Sequence, residues 1–137
     1  MRLVKRISLF CFISLFCQSL LAQARLRLAD LPPFERAVMV VKFFEGLHGK
    51  GCYPYVGYGH QLQPGEHFSS NMTERQADSL LRADLWKCFE HFKVYGKDAL
   101  LLTLLAYNVG VGRLLGYGKH LKSLLLRKIE AGDRNIY

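Results

Sequence analysis

Phe43-Phe44-Glu45-Gly46-Leu47-His48-Gly49-Lys50-Gly51-Cys52-Tyr53-Pro54-Tyr55-Val56-Gly57-Tyr58-Gly59-His60 is the stretch whose reading decides the fold. A single carboxylate, Glu45, stands at the end of an apolar helical pattern. Gly46 follows it at once, and glycine is the residue on which helices stop. Tyrosine and valine then favour extended structure, while the interleaved glycines mark bends. These residues specify a helix end followed by a small hairpin of two or three strands.

Upstream, Pro32 and Pro33 suit the first positions of a helix, and Asp30 is placed to cap it. The helix should run from about Pro33 to Leu47. At 100° per residue Phe34, Ala37, Val38, Val41 and Phe44 share one arc, with Glu35 and Lys42 opposite. Glu45 projects into the apolar arc, one turn beyond Val41. A carboxylate on the buried side of a helix is costly unless it is paired or protonated. Near a helix C-terminus its charge also opposes the dipole. Burial favours the neutral acid, which is the form that donates a proton, so the position reads as functional.

Downstream, Gln61 to Asn71 is polar, with Pro64-Gly65 as a turn. Thr73-Glu74-Arg75-Gln76 is a capping box that starts a helix reaching about Tyr95. Its apolar side is Ala77, Leu80, Leu81, Leu85, Trp86, Phe89 and Phe92; Arg75, Asp78, Arg82 and Lys87 form its exposed face. Gly96 breaks the chain, and Asp98 is placed to cap Ala99 to Asn108. That segment is apolar nearly all round, the pattern of a buried central helix, and is too short to span a membrane. Gly110 to Gly118 reads as a glycine-rich connection. Ser123 caps a last helix, Leu124 to Ala131, which Gly132 stops. The sum is an α+β domain, mostly helical, with one small hairpin. A chain of this size is expected to bury one core.

The first residues belong to a different class. Arg2, Lys5 and Arg6 precede an apolar run from Ile7 to Cys17, and Ala22-Gln23-Ala24 is a small-x-small cleavage pattern. This is the pattern of a secretory signal peptide over residues 1–24, with residues 25–137 as the mature domain. The expected location is exported, periplasmic or extracellular, without stable membrane insertion after cleavage. The whole chain carries a formal charge of +8; removal of Arg2, Lys5 and Arg6 leaves 16 basic against 11 acidic residues, or +5. An exported basic domain suits an anionic polymer such as a cell wall. No basic stripe interleaved with aromatics supports nucleic acid. Cys52 and Cys88 remain in a compartment that permits a disulfide, whose geometry the sequence leaves open. His48, Cys52, His60 and Cys88 match no usual zinc spacing, so no metal and no cofactor are expected.

The helix-end Glu45-Gly46, the hairpin closing on Gly57-Tyr58-Gly59-His60 and the later Ala106-Tyr107-Asn108-Val109-Gly110 together resemble the phage-type lysozymes, glycoside hydrolase family 24. The likeness extends from about Pro33 to Gly132 and includes a lysine-rich run, Lys122 to Asp133. It implies a lysozyme-like fold with a small β-hairpin lobe and a helical lobe. The implied substrate is peptidoglycan, cut between N-acetylmuramic acid and N-acetylglucosamine by a monomer. Glu45 would be the general acid. Gly46, Gly57, Gly59 and His60 would form the frame of the site, with His60 hydrogen-bonding across the lobe junction. Tyr53, Tyr55 and Tyr58 would pack against sugar faces or fill the hairpin core. Asn108 would bind sugar or cap its own helix. Members of the family usually continue with further helical structure, so a chain stopping at Tyr137 reads as a short variant or as one lacking its C-terminal helices. Wall turnover, phage-like lysis and wall opening for a secretion or conjugation apparatus all fit an exported wall-cleaving protein.

One departure limits the likeness. The family's second carboxylate is an Asp within the hairpin, with a Thr shortly before the Gly-x-Gly-His. Between Glu45 and His60 there is no acid, and Tyr55 holds the Thr position. Three readings follow. A lytic transglycosylase needs one carboxylate, because the sugar's own 6-hydroxyl attacks. Alternatively, Glu66 or Glu74 enters the cleft. Or the domain binds wall without cutting it.

Overall fold

The computed structural model of the chain describes residues 27–135; the signal segment expected over residues 1–24 lies outside them. Arg27 to Pro32 belongs to a unit of its own. There Leu28–Asp30 forms a 3-10 turn, and the Arg27 N–H donates to the Asp30 carboxylate. Asp30 thus serves this turn, not the helix that it was expected to cap.

The other unit begins at Pro33. It contains α1 (Pro33–Glu45), β1 (Tyr55–Val56), β2 (His60–Gln61), α2 (Glu74–Phe92), α3 (Ala99–Val109), α4 (Val111–Leu115) and α5 (Leu124–Glu130). The strands pair antiparallel, Tyr55 with Gln61 and Val56 with His60. This is the expected α+β architecture, mostly helical with one small hairpin. The expected glycine-rich connection instead contains α4, held between Gly110 and Gly116, both at positive φ. These glycines end helices; they do not merely loosen a linker.

Two apolar clusters form where one core was expected. The first joins Val38 and Val41 of α1, Tyr58 of the hairpin, and Ala77, Leu81 and Leu85 of α2. The second joins Phe92, Leu102, Ala106, Leu114 and Leu126. Helix α3 serves both, since Leu104 and Tyr107 pack on the first cluster while Leu102 and Ala106 lie in the second. Serving both does not bury it all round: Leu101 is 67% exposed. Thr73 and Gln76 close the capping box of α2, and Ser123 Oγ accepts the Leu126 N–H at the start of α5. Asp98 makes no cap; it accepts Arg134 Nη1 at 2.8 Å.

The buried residues of α1 are Ala37, Val38 and Val41, and half-buried Glu45 follows Val41 by four residues, a spacing that keeps one face. Phe44 falls off that face. It is 78% exposed and packs edge-to-face on Phe43, correcting the arc expected from the sequence. Trp86 likewise lies outside the core, stacked on Phe89 and edge-on to Phe34. Charged residues hold α1 to α2. Lys42 reaches Glu74 and Asp78, while Arg82 binds Asp78 through Nε and both Glu35 oxygens through its two terminal nitrogens. Asp78 and Arg82, expected on an exposed face, therefore form an inter-helix lattice. No helix among the described residues is long and apolar enough to cross a membrane.

Candidate active site

Glycine sets the position of Glu45. Gly46, at φ +67, ends α1 and donates its N–H to Lys42 O at 3.1 Å. Two residues on, the His48 N–H donates to Gly57 O at 2.7 Å, forming an isolated antiparallel bridge. The helix end is thereby pinned to the hairpin. Gly59 then lies against the carboxylate: its φ is +94, and a Cβ there would stand 3.2 Å from Glu45 Oε2. A side chain at 59 would meet both a strained backbone and the acid.

His60 is buried between two further acids. Its Nδ1 lies 2.7 Å from Asp84 Oδ2 of α2, and its Nε2 lies 2.8 Å from Glu66 Oε2. Doubly protonated imidazole donates at both nitrogens and satisfies both contacts. Burial opposes that charge, but the hydrogen bonds to Glu66 and Asp84 outweigh it and raise the His60 pKa. Glu66 moves the other way. The Gln63 N–H and then the His60 ring hold its carboxyl below the usual range.

Glu45, His48, Tyr55, Gly59, His60, Glu66, Asp84, Tyr107 and Asn108 share one cleft, whose volume of about 730 Å³ lies within the range of ligand sites. Tyr107 joins α3 to the hairpin, its hydroxyl donating to Tyr58 O at 2.7 Å. Burial, then the nearby charges of Asp84 and Glu45, raise its pKa and keep it a donor. Lys87 is on the rim, 3.8 Å from Asp84.

Several expectations change. Tyr58, expected against sugar or in the core, takes the core: it is 5% exposed with its ring in the first cluster and Lys42 Nζ 5.1 Å over its face. Tyr53 is exposed and outside the cleft lining, whereas Tyr55 lines it, edge-on to His48. Asn108 borders the cleft while its amide donates to Leu104 O of its own helix. Of the two acids named as entering the cleft, Glu66 lines it. Glu74 does not: it is held by Lys42 and Tyr58. Cys52 and Cys88 are free thiols, and burial pushes the Cys88 thiol up. Among the described residues no group of three acids, histidines or cysteines is arranged to hold a metal ion.

Asp84 was missed by sequence reasoning, although the signal that singled out Glu45 was present. Asp84 stands seven residues after Ala77 and three after Leu81, on the stripe that α2 buries. An acid in register with a buried stripe needs a partner, and His60 is that partner.

A family model, Phage lysozyme, matches residues 43–136. The match takes in Glu45, the hairpin, His60, Glu66 and Asp84. No curated protein and no solved structure matches.

Proposed function

Because the chain belongs to the phage lysozyme family, we propose that it is an exported glycosidase that hydrolyses the bond between N-acetylmuramic acid and N-acetylglucosamine in peptidoglycan, with Glu45 as general acid. The family supports a lysozyme-type, peptidoglycan-cleaving enzyme. The observation that carries the assignment of the acid is the seat of Glu45. It stands half-buried one turn beyond the buried Val41 of α1, and its carboxylate lies against the bare backbone of Gly59 in an open cleft. A glycan strand in that cleft would receive the Glu45 proton on its bridging oxygen, which makes the departing sugar a good leaving group. Tyr55 and Asn108 border the bound sugars, and Tyr107 fixes the hairpin against α3. Export is supported by the basic, apolar and small-x-small order of residues 1–24 and by the basic balance of the rest.

A second reading, lytic transglycosylation, is favoured by the hairpin, which contains no carboxylate. One experiment separates the two. The mature protein is incubated with purified peptidoglycan and the released fragments are weighed by mass spectrometry. Reducing ends are expected; anhydro ends would replace hydrolysis by transglycosylation. No release from a demonstrably folded protein would leave a wall-binding module and sink both enzyme readings. Glu45→Gln should slow release by about 10²-fold or more, and undiminished release from it would refute the assignment of the acid.

A further inference from the structure

Hydrolysis of a glycosidic bond ordinarily requires a second carboxylate opposite the acid. Among the described residues the cleft is lined by three carboxylates, Glu45, Glu66 and Asp84. Asp84 is turned inward: its side chain is 13% exposed, with one oxygen on His60 Nδ1 and the other toward Lys87. Glu66 is built differently. Gln63-Pro64-Gly65-Glu66 forms a tight turn in which the Glu66 N–H donates to Gln63 O at 3.0 Å and Gly65 takes φ +88. The side chain folds back over the turn. Its Oε2 accepts both the Gln63 N–H at 2.9 Å and His60 Nε2 at 2.8 Å. Both anchors fall on one oxygen. Its Oε1 has no protein partner among the described residues, and the side chain is 29% exposed at the cleft.

We propose that Glu66 is the second catalytic carboxylate of this enzyme, supplying from the turn after the hairpin the base that the hairpin itself lacks. The assignment rests on the glycosidase reading above. A carboxylate with one oxygen fixed and one free is oriented yet able to accept a proton. In the step assigned to it, water attacks the anomeric carbon and its oxygen forms the new bond there. The water proton passes to Glu66 Oε1. The bond from the anomeric carbon to the bridging oxygen breaks, its electron pair stays on that oxygen, and the Glu45 proton joins it. Glu66 is left protonated and Glu45 ionised, and exchange with solvent restores both. Attack from the face opposite the leaving group inverts the anomeric centre. His60, backed by Asp84, is a positioning residue that holds the Glu66 carboxylate through Oε2.

The test uses the mature protein, peptidoglycan and sodium azide. Glu66→Gln keeps an oxygen that can accept from Gln63 and His60 but removes the base. Its turnover should fall about 100-fold or more with KM little changed. Glu66→Ala should be as slow, and azide, a small anion needing no base, should restore release and leave a glycosyl azide identifiable by mass. Turnover of Glu66→Gln close to the parent would overturn the assignment. So would a loss in Glu66→Ala that azide does not rescue, or products of the parent ending in anhydro sugars. Failure of the parent to release fragments would instead remove the glycosidase reading, and this one with it.

Discussion

Two charged clusters flank α2, and they are built on opposite principles. On the side facing α1, Glu35, Glu74 and Asp78 meet Lys42 and Arg82, and every carboxylate there has a cation in contact. On the cleft side, Glu66 and Asp84 share His60, Asp84 also faces the rim residue Lys87, and Glu45 lines the same cleft. There the one permanent cation, Lys87, reaches Asp84, and His60 serves both Asp84 and Glu66. The first cluster joins two helices. The second leaves Glu66 Oε1 unspent and places Glu45 against the Gly59 backbone, where among the described residues no cation pairs with it. Charges that only hold elements together each touch a partner of opposite sign, whereas chemistry requires an acid group left without one and held in place by something else.

The largest effect should separate these roles outright. Glu45→Gln is expected to lower the rate of peptidoglycan cleavage by about 10²- to 10⁴-fold while leaving the melting curve in place. A parallel fall in melting temperature would return Glu45 to the structural side of the comparison. Next comes Asp84→Asn. It leaves His60 with a neutral partner at its inner nitrogen and should cost about 1–3 kcal/mol of stability, with slower turnover because Glu66 is less firmly placed. Denaturant unfolding and steady-state rates on the same preparation check both. Unchanged stability would mean that the His60–Asp84 contact at 2.7 Å contributes nothing net.

Acidity gives an intermediate test, and the two clusters should answer it differently. The His60 pKa is raised, since Glu66 and Asp84 outweigh the burial that opposes its charge. The stability it contributes is present in full below the ordinary histidine value of about 6.5 and is lost as pH rises through the folded-state value. Glu35 and Asp78 on the α1 side are lowered, Glu35 chiefly by its hydrogen bond to Arg82, and Asp78 by Arg82 and Lys42 against the opposing effect of burial. Their contribution is present above the ordinary carboxylate range and is lost as pH falls through their folded values. Melting temperature should therefore decline above about pH 6.5 in the parent and lose that decline in His60→Gln, while the acid limb stays in both. A decline that persists in His60→Gln would assign it to another group.

How much of this was legible in the sequence follows from the range of each interaction. The boxed cap of α2, the Ser123 cap of α5 and the break at Gly96 are contacts within a few residues, and all are found where the pattern put them. Glu45 was legible because one helix suffices to show an acid on an apolar stripe. Asp84 carried the same signal, but its meaning required His60, which lies 24 residues away in sequence. Glu66 was legible as one of two acids near enough in sequence to enter the cleft, but nothing in the pattern chose it over Glu74. That its side chain doubles back over the turn depends on the His60 ring being there to receive it. Tyr58 was left between sugar and core for the opposite reason. A tyrosine between two glycines resembles a binding residue, yet the gap between α1 and α2 that takes its ring exists only after the helices pack.

The smallest effect belongs to the cluster on the α1 side, and it completes the contrast. Arg82 touches Asp78 and both oxygens of Glu35, but all three side chains are partly exposed, so water and salt screen the pairs. Arg82→Ala should lower the melting temperature by only a few degrees, and by less as salt is raised. Its cleavage rate should match the parent, because no atom of this cluster faces the cleft. A rate loss comparable to that of Asp84→Asn would show that the α1–α2 lattice also sets the position of Glu45 at the end of α1. The two sides of α2 would then be one coupled network.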